Sequence, residues 1–141
     1  MHKIDFFYEI DFSLKGEHKY RAWIGNVIHS EGYNQGTITY IFCDDEYLQN
    51  LHKKYLDKDD LTDIITFDYS EGKFISGDIF ISIPRLQENA VLYGSGFDEE
   101  LVRVMSHGIL HLMGYKDKQS RDSELMRKKE DDKIRMFHVE Q

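Results

Sequence analysis

The spacing of the apolar residues changes near the N-terminus, and this change constrains the fold more than any other feature of the sequence. Between residues 4 and 12 apolar and polar side chains alternate, which predicts a half-buried β-strand. Over residues 17–30 the apolar side chains recur every three or four positions, which predicts an amphipathic helix that stops at Gly32. A chain that begins in this way is expected to pack a helix against a sheet.

The same reasoning predicts three further strands and four further helices. Asp44 is a candidate N-cap, Pro84 suits the first position of a helix, and Gly114 suits a helix stop. Four strands and about five helices indicate one domain over residues 1–141, either α+β or a mixed α/β sandwich. The predicted strands are 36–43, 63–69 and 76–83, and the predicted helices are 44–55, 84–93, 97–113 and 120–136.

Composition excludes some classes of protein. No run of about 18 apolar residues is present, so no membrane span is predicted. Acidic residues interrupt the N-terminal apolar segment, so it does not resemble a signal peptide, and we expect a cytoplasmic protein. The single cysteine, Cys43, cannot form an intrachain disulfide and is predicted to be a buried thiol. The formal net charge of −8 does not suggest a surface coated with basic residues.

The segment from His107 to Asp117 predicts a metal site. His107 and His111 stand four positions apart, so a helix places both imidazoles on one face. Gly114 can end that helix with a positive φ and let the chain return, which brings Asp117 within reach of the same ion. Two imidazoles and one carboxylate are a common ligand set for catalytic zinc, with a fourth position open for water. Two histidines at this spacing also occur by chance on long helices.

Gly108 bears on the kind of chemistry. Zinc peptidases with an HExxH motif use the glutamate after the first histidine as general base, and here that position is glycine. Peptidase chemistry is therefore disfavoured. A metal can still polarise a phosphate and activate a bound water, which suits hydrolysis of a phosphodiester.

These motifs resemble the YbeY family of ribosomal RNA maturation factors, which are proposed metal-dependent endoribonucleases. The family's HGxLHLxGYDH is similar to HGILHLMGYKD at 107–117, and its LNxxYRxxDxxTDVLSF is similar to LHKKYLDKDDLTDIITF at 51–67. A third block, GDIFIS at 77–82, resembles a family strand, so the resemblance covers about residues 36–120. It implies a roughly four-stranded mixed sheet packed by about five helices, with the metal-site helix lining a cleft.

The chain departs from the family pattern at three positions. Asp117 stands where the family usually has a third histidine, which leaves the metal identity open. Leu56 stands where the family has an arginine, so no catalytic residue can be assigned beyond a metal-bound water. His52 replaces an asparagine. The basic residues expected to hold RNA in place of the missing arginine are Lys53, Lys54, Lys58, Arg85 and Lys116.

Three other matched residues allow two interpretations. Thr62 and Asp63 begin a predicted strand, where a turn or cap role and a site role are both open. Asp78 follows Gly77 inside a strand pattern, where glycine indicates a bulge or a close approach by backbone or ligand.

The leading hypothesis is a zinc-dependent endoribonuclease that cleaves single-stranded ribosomal RNA. The resemblance further implies maturation of the small-subunit RNA 3′ end, ribosome quality control, and ribosomal components and an Era-like GTPase as partners. One alternative is a non-catalytic ribosome assembly factor with a structural metal. Another is a metal-dependent hydrolase of a different substrate, such as a peptide.

Overall fold

The computed structural model describes residues 2–56 and 62–139, and this part of the chain forms four strands and five helices. The predicted α+β composition is therefore confirmed, and most predicted boundaries are met within two residues. In chain order the elements are β1 (Ile4–Tyr8), α1 (Glu17–Ser30), β2 (Asn34–Cys43), α2 (Asp45–Leu56), β3 (Ile64–Asp68), β4 (Phe74–Ser82), α3 (Ile83–Tyr93), α4 (Phe97–Leu112) and α5 (Ser120–Val139).

The four strands form one mixed sheet in the order β1-β2-β4-β3. β1 pairs with β2 and β2 pairs with β4, both in parallel, whereas β3 pairs with β4 in the antiparallel sense. Parallel neighbours need a crossover connection, which α1 supplies between β1 and β2. β3 lies at one edge of this sheet, and α4 packs against it.

The first strand is shorter than the predicted span of 4–12. Its partner β2 runs out at Cys43, so the ladder ends with Tyr8 opposite Phe42 and a last bond from the Glu9 amide to the Phe42 carbonyl, 2.8 Å long. Ile10 and other apolar residues beyond the strand still pack against the core. The alternation therefore predicted which side chains face inward but not where the pairing stops.

The main core lies between the sheet and α1, α4 and α5. Trp23 of α1 and Tyr40 of β2 are fully buried, and each has a polar atom that needs a partner. Trp23 Nε1 donates to the Lys133 carbonyl at 2.8 Å, and Tyr40 Oη donates to the Met105 carbonyl at 2.8 Å. These two bonds fix α5 and α4 on the core with their polar groups satisfied.

A smaller apolar cluster lies under α2 and contains the predicted buried thiol. Cys43 packs there with Leu48 and Ile65, and burial, with the charges of nearby carboxylates, raises its pKa to about 12. Cys43 is therefore a neutral packing residue, as predicted. Asp44 caps α2 by accepting a bond from the Tyr47 amide at 2.8 Å.

The buried residues of the last helix, α5, differ in part from those predicted. Met126 and Ile134 are buried as the sequence pattern suggests, but Leu125 is 46% exposed. Two charged residues, Glu130 and Lys133, are buried in α5 instead.

Within the described residues, no helix has the length and apolar character needed to cross a membrane.

Candidate metal centre and its cleft

The structure brings the three predicted ligands together. His107 and His111 lie one turn apart on α4, and Asp117 follows the end of that helix. Asp117 Oδ2 lies 3.1 Å from His107 Nε2 and 3.4 Å from His111 Nε2, and one ligand atom from each residue falls within 4.8 Å of the others. Zinc bonds of 2.0–2.1 Å at tetrahedral angles separate neighbouring ligand atoms by about 3.3 Å. The donor atoms and their spacing therefore fit a divalent metal such as zinc.

Gly114 turns the chain back after α4. Its φ of 98° lies in the left-handed region that favours glycine, and the Tyr115 amide donates to the Leu110 carbonyl at 3.0 Å. On the far side of the turn, Ser123 Oγ donates to the Asp117 carbonyl at 2.7 Å. The predicted helix stop is confirmed, and it directs Asp117 back toward the two histidines.

A partly buried ion-pair cluster holds the same turn against the body of the protein. Tyr115 Oη donates to Glu31 Oε1 at 2.6 Å, while Lys129 and Lys133 of α5 donate to the same carboxylate at 3.1 and 2.7 Å. Burial alone would raise the pKa of Glu31, but the bonds from Lys133, Tyr115 and Lys129 outweigh it and lower that pKa to about 2. The turn that carries Asp117 is thus tied to the residue that follows α1 and to α5.

Glu130 of α5 orients the first histidine. His107 Nδ1 and Glu130 Oε2 are 2.6 Å apart, and the Glu130 side chain is 6% exposed. A carboxylate bonded to Nδ1 favours the tautomer that carries its proton there, which leaves the Nε2 lone pair for a metal. Glu130 Oε1 also accepts a bond from Arg103 Nη1 at 2.9 Å, so the orienting carboxylate is itself held in place.

Replacing Glu130 by glutamine is expected to weaken zinc binding by about 10- to 100-fold, the usual effect of losing such an orienting partner. The amide is a weaker acceptor than the carboxylate and no longer raises the basicity of the imidazole. A competition titration with a chromogenic chelator measures this. Glu124→Gln, an exposed position on the same helix, is the matched control. Equal zinc affinity in Glu130→Gln and wild type would contradict the orienting role.

The two histidines differ in their tendency to be protonated. Burial disfavours the charged form of His107, but the bond from Glu130 and the charges of Glu130, Asp117 and Asp63 outweigh burial and raise its pKa. Burial and the neighbouring His107 charge lower the pKa of His111 despite the opposing effect of Asp117. His111 therefore offers its lone pair to a metal more readily than His107, whose protonated form competes more strongly with metal binding.

The candidate ligands open into a cleft of about 350 Å³ between α4, α5 and the edge strand β3. Burial is the largest influence on two further carboxyl groups in its wall, Asp63 and Glu100, and it raises the pKa of both. Asn89 Nδ2 donates to Asp63 Oδ2 at 3.4 Å. The described residues that line the cleft are Thr62, Asp63, Ile64, Thr66, Glu100, Arg103, Val104, His107, His111, Asp117 and Glu130.

Thr62 and Asp63 combine the two roles that the sequence left open. Thr62 Oγ1 lies 3.4 Å from the Ile64 amide, and the Asp63 carbonyl accepts a bond from the Ser82 amide at 3.0 Å, so both shape the start of β3. Both also line the cleft. Asp78 is different, because it lies outside the cleft wall and accepts a bond from Tyr69 Oη at 3.3 Å.

The basic residues expected to hold RNA lie outside the cleft wall, as far as the structure describes them. Lys53 and Lys54 are exposed on α2, and Lys116 is exposed in the turn after α4. Arg85 pairs with Asp45 and Glu88 on the α2–α3 side. The structure describes neither Lys58 nor the side chain of Leu56. His52 is half-buried on α2, outside the cleft wall.

Three charged residues of the cleft were not predicted from the sequence to be part of the site. Glu100 and Arg103 stand seven and four positions before His107, so helical spacing alone would have placed them on its face. Glu130 lies 23 positions beyond His107, on a different helix. No local pattern marks it, because its role depends on how α5 packs against α4.

Gly108 is required by packing. A Cβ built there would lie 2.9 Å from Ile79 Cγ2 and 3.1 Å from Ile64 Cδ1, both in the sheet beneath α4. The close approach of α4 to the sheet brings His107 next to the edge strand. The structure thus gives a physical reason for the absence of a carboxylate at this position. Gly77 is similarly confined, since a Cβ there would lie 2.5 Å from the Phe67 carbonyl oxygen. This is the close approach by backbone that a glycine inside a strand pattern indicated.

Comparison with known proteins identifies the family. Residues 9–138 match the family described as Endoribonuclease YbeY. The chain belongs to the YbeY family. The match extends well beyond the three motif blocks and confirms the resemblance drawn from them.

Relatives named Endoribonuclease YbeY align over nearly the whole chain. The Flavobacterium johnsoniae protein is 57% identical over 138 residues, covering 98% of this chain and 99% of the relative. The Christiangramia forsetii protein is 54% identical, covering 99% of this chain and 97% of its own length. The solution structure of TM1509 from Thermotoga maritima superposes with a TM-score of 0.66 at 23% identity, over 99% of this chain and 91% of that one. That likeness concerns the fold, which it supports as an α+β domain.

Proposed function

We propose that this protein is a zinc-dependent endoribonuclease that cleaves single-stranded ribosomal RNA. The observation that carries the proposal is the convergence of His107, His111 and Asp117 on one point of an open cleft, in a chain whose relatives are named Endoribonuclease YbeY. Two imidazoles and one carboxylate are a common catalytic zinc set, although the hard Asp ligand also suits other divalent metals. Elemental analysis of protein purified without added metal tests the zinc assignment.

In this proposal the residues of the cleft have different roles. A bound divalent ion supplies Lewis-acid chemistry toward a phosphate and lowers the pKa of water. His107 is held by Glu130, and Asp117 is held by the turn at Gly114, so the ligand set is arranged before an ion arrives. Asp63 and Glu100 provide carboxyl groups with raised pKa values in the same cleft, and such groups can take up or release a proton.

Chelation provides the direct test. Purified protein is incubated with a precursor of small-subunit ribosomal RNA, before and after treatment with a chelator, and then with zinc restored. We expect cleavage to disappear on chelation and to return with zinc, because the ion supplies the activating charge. A fully base-paired RNA serves as the matched substrate and should be cut more slowly. Cleavage that survives complete removal of metal would refute the metal-dependent part of the proposal.

The proposed cellular role rests on the family resemblance. It comprises 3′-end maturation of small-subunit ribosomal RNA and ribosome quality control in the cytoplasm, with ribosomal components and an Era-like GTPase as partners. Cells that lack the protein should accumulate unprocessed small-subunit RNA. Normal RNA ends in such cells would contradict this role.

A further inference from the structure

The charge of the cleft poses a problem for an RNA substrate. Four carboxyl groups line it, those of Asp63, Glu100, Asp117 and Glu130. A phosphodiester is an anion, so ionised carboxylates in its binding site repel it unless cations compensate for them. Of the lysines and arginines that the structure describes, Arg103 alone lines this cleft.

Arg103 is placed where a substrate phosphate can reach it. It stands four residues before His107 on α4, which puts it on the same face and about 6 Å along the helix axis from that ligand. Its side chain is 16% exposed, so the guanidinium is largely shielded from water but remains accessible from the cleft. Reduced exposure to water strengthens its attraction for an anion.

Two carboxylates of α5 hold the guanidinium in position. Arg103 Nη1 donates to Glu130 Oε1 at 2.9 Å, and Nη2 donates to Asp131 Oδ1 at 2.7 Å. These bonds use two of the five N–H groups of an arginine, which leaves further donors for a ligand. Because the side chain is already ordered, contact with a phosphate costs less side-chain entropy than it would for an exposed lysine.

We propose that Arg103 contacts a phosphate of the RNA strand adjacent to the one at the metal centre. This inference rests on the proposed endoribonuclease function. It assigns a substrate-contacting cation to the cleft, a role that the sequence had suggested for exposed lysines and for Arg85. Arg85 does not line the cleft.

Salt dependence distinguishes a phosphate contact from a merely structural role. RNA affinity of the zinc-loaded protein is measured by fluorescence anisotropy over a series of KCl concentrations, on ice and before cleavage progresses. The probe is a labelled single-stranded oligonucleotide from the 3′ end of precursor small-subunit RNA. Each phosphate contact to a single strand contributes about 0.7 to the slope of log K against log salt. Arg103→Gln should therefore weaken binding at low salt and reduce the magnitude of that slope by about 0.7.

Kinetic constants and two control variants complete the test. Arg103→Gln should raise KM for RNA cleavage by about tenfold, as expected for loss of a charge-assisted hydrogen bond, with a smaller change in kcat. Arg85→Gln removes an arginine outside the cleft and should keep the wild-type slope and KM. Asp131→Asn removes one partner but keeps the Arg103 charge, and it should keep the slope.

Each outcome bears on the proposal. An unchanged slope in folded Arg103→Gln overturns it, and loss of zinc with an unchanged slope would show that Arg103 acts only through Glu130. Should Arg103→Gln fail to fold, Arg103→Lys keeps the charge but not the planar fork, so it should retain the slope and raise KM. An unchanged slope in Arg103→Met, which removes the charge but keeps the apolar stem, would overturn the contact. Wild-type protein that binds RNA without cleaving it would contradict the proposed function, and the binding experiment would still decide the role of Arg103.

Discussion

Replacing His111 by alanine is expected to abolish zinc binding at the cleft and to lower RNA cleavage by well over about 100-fold. Loss of an orienting partner alone weakens a metal site by about 10- to 100-fold, and loss of a direct ligand is more severe. Only His107 and Asp117 would remain of the set, and two ligands do not complete a catalytic zinc site. Zinc content by elemental analysis and cleavage of precursor ribosomal RNA are measured on the same preparation.

The control for this substitution is His18→Ala, since His18 is exposed on α1. It should keep wild-type zinc content and wild-type cleavage. Thermal unfolding of both variants, measured with zinc removed, separates loss of the site from loss of the fold. Full cleavage by metal-free His111→Ala would assign the activity to a contaminating nuclease or to another part of the protein.

The sequence predicted the local parts of the site well. Two histidines four positions apart on an amphipathic helix must share a face, and a glycine after the helix can reverse the chain. Both expectations depend on the geometry of a single helix, and the structure confirms them at α4 and Gly114. The side of the first strand that faces the core was also predictable from its alternation. Its length was not, because the end of β1 depends on where β2 ends.

The parts of the site that depend on packing between helices could not be predicted. Glu130 and Lys133 lie in a highly charged segment, where a solvent-exposed face is the ordinary expectation. The structure buries both, because Glu130 contacts His107 and Arg103 while Lys133 pairs with Glu31. No periodicity of α5 marks these partners, since they lie on α4 and at the end of α1. Lys53, Lys54, Lys58, Arg85 and Lys116 were proposed as RNA-binding groups from their charge, and charge alone does not indicate which residues line the cleft.

Two departures from the family pattern change the number of charged groups in this chain. Asp117 introduces a carboxylate among the candidate ligands, and Leu56 removes an arginine. The described cleft therefore contains many carboxyl groups, and its one arginine comes from α4. A bound divalent ion and Arg103 together would offset this negative charge, so metal binding and RNA binding are expected to be coupled. On this reasoning, RNA should bind the zinc-loaded protein more tightly than the metal-free protein.

Introducing a side chain at Gly108 is expected to disrupt the fold and the site together. An alanine Cβ would lie 2.9 Å from Ile79 Cγ2 and 3.1 Å from Ile64 Cδ1, closer than such carbon atoms normally approach. Overpacking of this kind lowers the free energy of unfolding by about 1–3 kcal/mol. Any shift of α4 away from the sheet also moves His107 and His111 relative to Asp117, so Gly108→Ala should lose zinc affinity as well as stability. Urea denaturation and zinc titration measure the two effects.

Gly108→Glu makes the larger and more informative change. It recreates the HExxH motif of zinc peptidases, which on sequence grounds alone would convert the site to peptide hydrolysis. The structure leads to the opposite expectation, because a carboxylate at this position would be forced against Ile79 and Ile64 without a polar partner. We expect Gly108→Glu to be unfolded or aggregated and to have no peptidase activity. Gly25→Ala is the control, since a Cβ at this glycine inside α1 would lie 3.4 Å from Gln35 Oε1, an ordinary contact, and it should not unfold more readily than wild type. A folded, zinc-binding Gly108→Glu protein would show that α4 does not require glycine at its contact with the sheet.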